Sequence, residues 1–239
     1  DIIQAECGIP AVQEMLTGEA GFVGTIMADK VSGLHALYAT LAALFHRAQT
    51  GEGQEVEVGM FESMASFMLV EHANGAMYTP PLGPAFYPRV VNPDRKPYET
   101  KDGHIAAMVY NDKQWNAFMA AVKPAWGGNP DHDSLEKRAA RISEIYALLR
   151  ATFKERTTQE WLDLLRGIDI PCAPLRTPQE LFDNEHLNAV DFFEEVDTRF
   201  GTVRFPGVPT WFSKTPGKVA GPAPTVGENG AEILSEFGL

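Results

Sequence analysis

Residues 24–58 read GTIMADKVSGLHALYATLAALFHRAQTGEGQEVEV, and their pattern predicts a helix, a turn and a strand in the first part of the chain. Apolar side chains recur at helical spacing between Gly33 and Arg47, and they predict one continuous buried stripe. The stripe consists of Leu34, Leu37, Tyr38, Leu41, Leu44 and Phe45. A glycine-punctuated turn at 50–54 then precedes residues 55–58, whose alternation is typical of a short strand.

The segments on either side complete a layered pattern. The apolar run FVGTIMA, residues 22–28, predicts a strand, and MFESMASFMLVEH, residues 60–72, returns to helical periodicity. The first part of the chain is therefore predicted to run strand, helix, strand, helix. That order indicates the α/β class.

The composition is that of an ordinary globular protein with an acidic surface. The 239 residues are 44% hydrophobic and 22% charged, and the formal net charge is −12. Nucleic acid and anionic membranes are excluded as partners, because both would need a basic face. No apolar run approaches the roughly 18 residues of a membrane helix. Cys7 and Cys172 lie too far apart to suggest a disulfide framework, so the expected compartment is the reducing cytoplasm.

A proline-rich connector divides the chain. YTPPLGPAFYPRVVNPDRKPY, from Tyr78 to Tyr98, carries six prolines in 21 residues and predicts extended backbone. A connector of this length often joins two domains. We therefore predict a first domain over 1–77, the connector over 78–97, a smaller α/β domain over 98–185 and a closing segment over 186–239.

Beyond the connector, the pattern predicts short strands, helices and one hairpin. Strands are expected in GHIAAMV (103–109) and IPCAPL (170–175). Thr177 is the expected cap of a further helix, and FFEEVDT with GTVRFPG predicts a β-hairpin turning near 199–201. The remaining predicted helices cover about 112–122, 133–153, 158–166 and a short segment at the end of the chain.

Asp29 stands just before the helix predicted from Gly33. As an N-cap, its carboxylate would accept hydrogen bonds from free backbone N–H groups and would interact favourably with the helix dipole. The same geometry would hold a carboxylate ionised and aimed for nucleophilic attack. On spacing alone, the capping role is favoured over the catalytic role.

Other polar residues are weaker candidates for a site. The six histidines include no pair at the i, i+4 spacing of a metal site, so no metal is expected. Cys172 lies between prolines, among apolar neighbours, which favours an inert packed thiol over a nucleophile. Arg95 and Lys96 form a basic pair on the connector, solvated by default, with contact to an anionic ligand as the alternative.

Several blocks of the chain together resemble the class III CoA-transferases of the CaiB/BaiF type. The family includes formyl-CoA transferase, carnitine CoA-transferases and α-methylacyl-CoA racemase. The resemblance is most specific over 27–63, where helix, turn, strand and second helix match together. It covers essentially the whole chain, through DIIQAECGI (1–9), MADKVSGLHALYATLAALFHRAQTGEGQEVEVGMFES (27–63), KPYETKDGHIAAMVYNDKQW (96–115), GIDIPCAPLRTPQEL (167–181) and PAPTVGENGAEILSEFGL (222–239).

The resemblance implies that Asp29 is the catalytic residue, because the family's aspartate stands immediately before the same helix. In a transferase, this carboxylate attacks an acyl-CoA thioester to form a mixed anhydride, and the released CoA thiolate converts the anhydride into an aspartyl-CoA thioester. An acceptor acid then reverses the cycle. The resemblance implies CoA thioester as a substrate and no permanently bound cofactor. The predicted contacts to CoA and substrate are Met27, Ala28, Arg95 and Lys96.

The family fold implied by the resemblance is a Rossmann-like large domain plus a smaller α/β domain, joined by long proline-rich connectors. Residues 1–77 would be part of the large domain, and residues 186–239 would return to it. Two chains would thread through each other as an interlocked homodimer. The segments AFYPRV (85–90) and MVYND (108–112) mix aromatic and polar groups, and they either line an acyl pocket or serve packing.

Two departures from the family leave alternatives open. Family members are longer, and this chain opens with DIIQAECGI, so we expect an N-terminally truncated chain with a partial Rossmann-like domain. An inactive fragment that needs its N-terminal half is therefore one alternative. Another is a racemase or epimerase of 2-methylacyl-CoA, in which Asp29 would pair with a histidine upstream of Asp1. The glycine run of formyl-CoA transferase is missing near residues 85–99, so formyl or oxalyl specificity is not implied.

Overall fold

The computed structural model describes residues 1–239, and the chain divides into two compact units, Asp1–Pro174 and Leu175–Leu239. The first unit contains two separate hydrophobic cores, one built from residues before the connector and one from residues after it. The mixed helix and strand class predicted from the sequence is confirmed. The predicted domain boundaries at 77, 97 and 185 stay predictions.

Helices alone make up the regular structure before the connector. The longest of them, Met27–Thr50, is capped at its C-terminal end by Gly51. The φ of Gly51 is 79°, which suits glycine, and its N–H donates to the carbonyl of Arg47 at 2.8 Å. The helix predicted at 60–72 is confirmed at both ends. A short 3₁₀ helix, Asn74–Met77, follows it. In chain order the α-helices are α1 (Ile2–Glu6), α2 (Ile9–Thr17), α3 (Met27–Thr50) and α4 (Met60–His72).

The two strands predicted in this part of the chain are wrong. Residues 22–26 and 52–59 have no regular structure, and α3 begins at Met27 rather than at Gly33. A strand needs a neighbour to accept and donate its backbone hydrogen bonds, and no other segment of the chain pairs with either stretch. The Rossmann-like sheet implied by the resemblance is consequently not formed by these residues.

The apolar stripe of α3 is exposed, which corrects the prediction that it is buried. Leu34 is 63% exposed, Tyr38 56% and Phe45 67%, and the only buried residue of the helix is Ala28. The described contacts of α3 with α1 and α4 pack its first two turns, and no segment covers the stripe. No helix of the chain, α3 included, combines the length and the apolar character needed to cross a membrane.

After the connector, a small sheet and four helices surround an aromatic core. The strands β1 (Tyr98–Glu99), β2 (His104–Ala107) and β3 (Cys172–Pro174) lie antiparallel in the order β1-β2-β3, so β2 is central. Both predicted strands are confirmed, in shorter form. The helices are α5 (Asp112–Val122), α6 (Leu135–Ala140), α7 (Ile142–Phe153) and α8 (Thr158–Gly167). The single helix predicted over 133–153 is therefore two helices, which meet at Arg141, where φ is −119°.

The aromatic core joins these helices to the sheet. Phe153 is fully buried, and its ring stacks on Tyr98 of β1 at a centroid distance of 4.5 Å. It also packs against Trp161 at 4.7 Å and Phe118 at 6.0 Å. The indole N–H of Trp161 donates to the carbonyl of Phe153 at 2.8 Å, so the polar atom of this buried ring is satisfied.

The second unit, Leu175–Leu239, contains a hairpin and short helices. The predicted hairpin is confirmed as β4 (Phe193–Thr198) paired with β5 (Gly201–Pro206). The helix predicted from Thr177 is only the 3₁₀ turn Gln179–Leu181, although Thr177 does exchange hydrogen bonds with Glu180 as a cap would. The α-helices of this unit are α9 (Glu185–Ala189) and α10 (Gly230–Glu236), the latter at the predicted position.

Removing the ring of Phe153 tests the role of the aromatic core. We expect Phe153→Ala to lower the free energy of unfolding by about 3–5 kcal/mol, because a fully buried ring leaves a cavity among three aromatic neighbours. Urea denaturation followed by tryptophan fluorescence measures the change. Phe200→Ala is the control, since Phe200 is 83% exposed and its loss should alter stability by no more than about 0.5 kcal/mol.

Candidate active site

Asp29 is the third residue of α3, inside its first turn, and its side chain is exposed. The N-cap position belongs to Ile26, so the prediction that Asp29 caps the helix is wrong in its geometry. The N–H of Met27 donates to Thr25 and that of Lys30 to Ile26. The N–H groups of Ala28 and Asp29 lie between them and have no backbone acceptor.

A small apolar cluster holds this turn in place. Ala28 is buried, at 5% exposed, against Ile9 of α2 and Met64 of α4. Met27 and Met68 pack at its edge. The predicted substrate contacts Met27 and Ala28 therefore lie next to Asp29, but their side chains pack into the cluster. The backbone N–H of Ala28 has no acceptor, and the assignment of Met27 and Ala28 as substrate contacts stays a prediction.

Gln4 fixes the segment that leads into α3, a residue that the sequence analysis missed. Its side chain is 3% exposed, and its Oε1 accepts the backbone N–H of Val23 at 2.9 Å. Val23 itself packs against the apolar cluster. A buried amide that bonds to a neighbouring backbone satisfies both groups and orders the irregular segment. The only sequence signal is one polar residue among the apolar positions of α1.

The chemistry available to Asp29 follows from this position. The positive end of the helix dipole lies beside this carboxylate, and none of the nine salt bridges involves it. Two unpaired N–H donors in the same turn could stabilise an oxyanion that forms on an attacked carbonyl. An exposed carboxylate beside such donors is suited to nucleophilic attack on an activated acyl group.

The predicted basic pair, Arg95 and Lys96, is not brought to Asp29 by any described contact. Both side chains are exposed, and only their backbone N–H groups form hydrogen bonds, to Asn92 and Asp94 respectively. Their assignment as CoA contacts stays a prediction. The oriented guanidinium of the connector belongs instead to Arg89.

Arg89 connects the two segments that the sequence analysis proposed as pocket-lining. Its Nη1 donates to the hydroxyl of Tyr110 at 2.7 Å, and its guanidinium lies 4.2 Å from the centre of the same ring. AFYPRV and MVYND are therefore in contact, although 21 residues separate the two side chains. The mixture of aromatic and polar residues in both segments was the signal that the sequence contained.

The histidines and cysteines do not assemble a metal site. No three side chains of His, Cys, Asp or Glu lie close enough to hold an ion. His132 is buried in a cleft beside Trp115 and Trp126, where its Nε2 lies 3.1 Å from Oε1 of Glu144. Burial raises the pKa of the Cys172 thiol, with only partial opposition from Arg166, which favours the inert thiol predicted for it.

Comparison with known proteins identifies the family. Residues 1–230 match the sequence model described as CoA-transferase family III. The chain belongs to this family. The resemblance drawn from the sequence blocks is thereby confirmed.

Curated relatives carry the names of several CoA-transferases. The chain is 28% identical to succinyl-CoA:mesaconate CoA-transferase of Haloarcula marismortui, over 100% of its own length and 60% of the relative's. It is 26% identical to succinate–glutarate CoA-transferase of Agrobacterium fabrum, over 99% and 60% of the two chains. Formyl-CoA:oxalate CoA-transferase of Afipia carboxidovorans matches at 28% identity, over 89% and 56%.

Solved structures show the same fold. Rv3272 from Mycobacterium tuberculosis superposes with a TM-score of 0.78 at 22% identity, covering 96% of this chain and 62% of that one. A CAIB/BAIF family protein from Brucella suis gives a TM-score of 0.74 at 22% identity, covering 98% and 61%. The chain thus spans about 60% of the length of the curated relatives first named above.

Replacing Gln4 tests how the entry to α3 is ordered. Gln4→Met keeps the volume at this buried position but leaves the partly buried N–H of Val23 without its acceptor, so we expect a loss of about 1–3 kcal/mol in stability. Amide hydrogen exchange at Val23 should accelerate. Gln159→Met, at an exposed site on α8, is the control; equal effects of the two variants would contradict the role given to Gln4.

Proposed function

We propose that this chain is part of a CoA-transferase that moves coenzyme A between an acyl-CoA donor and a carboxylic acid acceptor. The observation that carries the proposal is the exposed carboxylate of Asp29 in the first turn of α3, beside two unpaired N–H groups. Membership of CoA-transferase family III supports it. The cytoplasm is the proposed compartment, because two cysteines without the spacing of a disulfide framework suit a reducing environment.

The proposed mechanism divides one acyl exchange into covalent steps. Asp29 attacks the thioester carbonyl of the donor, the C–S bond breaks, and a mixed anhydride forms as CoA thiolate leaves. The thiolate attacks the aspartyl carbonyl of this anhydride, which releases the donor's acid and leaves an aspartyl-CoA thioester. The acceptor carboxylate attacks this thioester, its C–S bond breaks, and CoA thiolate leaves as a second mixed anhydride forms. The thiolate then attacks the acceptor's carbonyl in this anhydride, which gives the new acyl-CoA and free Asp29.

The N–H groups of Ala28 and Asp29 suit the oxyanion that each of these attacks generates. A preorganised donor of this kind stabilises the transition state most where water is excluded. In this proposal the bound substrate displaces the water around Asp29. The carboxylate of Asp29 is itself the nucleophile, so the scheme assigns no separate general base. No tightly bound cofactor enters the scheme; CoA thioester is consumed and formed as substrate and product.

The proposed acceptors are dicarboxylic acids. The relatives named above act, by their names, with mesaconate, glutarate and oxalate, each of which carries two carboxylates. These names describe transferases, so the racemase alternative is not favoured. An acceptor with two carboxylates needs one for the reaction and a cationic or donor-rich surface for the other.

We also propose that the active protein is a homodimer, interlocked as the family resemblance implies. The exposed stripe on α3 supports this assembly, since six large apolar side chains on one helix face exceed what a monomer surface ordinarily leaves uncovered. Burial of this face would remove the apolar area from water.

Substitution of Asp29 separates catalysis from helix stability. In the protein expressed from the complete reading frame, we expect both Asp29→Asn and Asp29→Ala to lower transfer by several orders of magnitude, because neither can form the anhydride. Loss of the charge at the helix start should cost only about 0.3–1 kcal/mol in stability. Glu62→Gln is a matched control, since Glu62 is likewise the third residue of its helix, α4.

The covalent intermediate provides an independent measurement. Hydroxylamine added during turnover with acyl-CoA should convert Asp29 to its hydroxamate, detected by mass spectrometry of the peptide that contains it. Substantial transfer by Asp29→Asn, or trapping at another residue, would show that the nucleophile is assigned wrongly.

Oligomeric state tests the proposed assembly. Analytical ultracentrifugation of the complete reading frame's product should give a dimer at micromolar concentration, whereas residues 1–239 alone should aggregate because the α3 stripe stays exposed. The double variant Leu37→Glu, Leu41→Glu should prevent dimer formation by the complete reading frame's product and should reduce aggregation of residues 1–239. A stable, cooperatively unfolding monomer formed by either wild-type protein would contradict the proposal.

A further inference from the structure

Arg89 is held in one orientation by an aromatic partner. Its guanidinium lies over the ring of Tyr110 and donates to the hydroxyl of that residue at 2.7 Å. Tyr110 is in turn fixed by its backbone, whose N–H donates to Oε1 of Gln114 at 3.1 Å. The carbonyl of Tyr110 accepts from the buried Arg138 at 3.4 Å. The pair is therefore anchored to the start of α5.

No carboxylate neutralises Arg89. The nearby connector residue Asp94 pairs with Arg150 at 2.7 Å, and Asp112, close to Tyr110 in sequence, pairs with Arg138. Burial lowers the pKa of Arg89, but the hydroxyls of Tyr110 and Tyr87 outweigh it, so the pKa lies above its ordinary value. The guanidinium is exposed and positively charged, with the ring and the hydroxyl of Tyr110 beside it.

The groups of Arg89 and Tyr110 that are still free to form hydrogen bonds are mainly donors. A phenol oxygen that accepts from a guanidinium keeps its own O–H free to donate. The guanidinium has only donors, and one of its N–H groups serves Tyr110. The remaining groups are therefore N–H and O–H donors around one positive charge. Such a set binds an oxyanion, since carboxylate and phosphate oxygens are acceptors of matching charge.

The connector also contacts the end of α4, the helix that packs against the first turn of α3, which contains Asp29. The backbone N–H of Tyr87 lies 3.4 Å from Nδ1 of the buried His72, at the end of α4, and the carbonyl of Phe86 accepts from Asn74 at 2.7 Å. Met68, one helical turn before His72, packs against the cluster that holds Ala28. A continuous series of contacts thus runs from the turn of Asp29 through α4 to the connector.

We infer that Arg89 and Tyr110 form an oxyanion-binding site for the charged group of a substrate that does not react. This inference rests on the proposed transferase function, in which two such groups occur. One is the second carboxylate of a dicarboxylic acid, and the other is a phosphate of CoA. Arg89 would select substrates through this contact, while Asp29 performs the chemistry.

Steady-state kinetics on the complete reading frame's product distinguishes the two sources. Arg89→Gln should raise the KM for the substrate that Arg89 binds by about 10- to 100-fold, with a smaller change in kcat, as expected for loss of a charge-assisted hydrogen bond. If the carboxylate is bound, the KM for glutarate rises and that for butyrate, of similar length but with one carboxylate, does not. If the phosphate is bound, the KM for acyl-CoA rises with either acceptor.

Further variants separate charge from packing. Arg89→Lys should recover part of the loss, and Tyr110→Phe should give a smaller rise, because the ring stays and only the hydroxyl is removed. Arg199→Gln is the matched control, since Arg199 lies 4.6 Å from the ring of Phe200 on the β4–β5 turn and is given no role in binding. Unchanged KM values for both substrates in Arg89→Gln would overturn the inference.

A binding measurement keeps this test separate from that of the transferase proposal. In ¹⁵N-labelled protein, the Nε–H resonance of Arg89 should shift on titration with succinate or with inorganic phosphate, and the Arg199 resonance should not. An inactive wild-type protein that shows this shift would refute the transferase proposal and retain the anion site. No shift with either anion in that inactive protein would overturn the inference, as would unchanged KM values in an active one.

Discussion

The contact of Ala28 with Ile9 and Met64 is the interaction on which the candidate site depends. It is the only point at which α3 is buried, and it fixes the turn that contains Asp29. An alanine there allows the helices to approach closely, and the adjoining turn can keep its carboxylate in solvent. Gln4 adds a hydrogen bond to the segment before the helix, so both sides of the turn are ordered.

The helix α3 is packed at its start and exposed along the rest of its apolar face. Its first turns pack against α1, α2 and α4, while the remaining length exposes a stripe that runs from Leu34 to Phe45. The contrast explains why helical periodicity could be right about the helix and wrong about its burial. Periodicity reports that a face is apolar, but it does not report whether another segment packs against that face.

The connector has a structural role beyond linking two cores. Its ends are fixed through His72 and Asn74 on one side and through Ser143 and Arg150 on the other. Prolines limit the conformations available to the residues between these anchors, which lowers the entropy lost when Arg89 is positioned on Tyr110. A charged side chain can thereby be held in place without a carboxylate partner.

Features that depend on neighbouring residues could be predicted from the amino-acid sequence alone. They are the helix at 60–72, the α5 helix at 112–122, the hairpin of the second unit, and the family to which the chain belongs. It also singled out Asp29 as the candidate nucleophile, which stays a prediction, and it placed the residue before α3 rather than within its first turn. Three features could be read only from the folded chain: residues 55–58 form no strand, Gln4 anchors Val23, and Arg89 meets Tyr110. The physical reason is that each of these depends on a distant partner, since strands, buried amides and guanidinium–ring pairs are stabilised by groups that local periodicity does not specify.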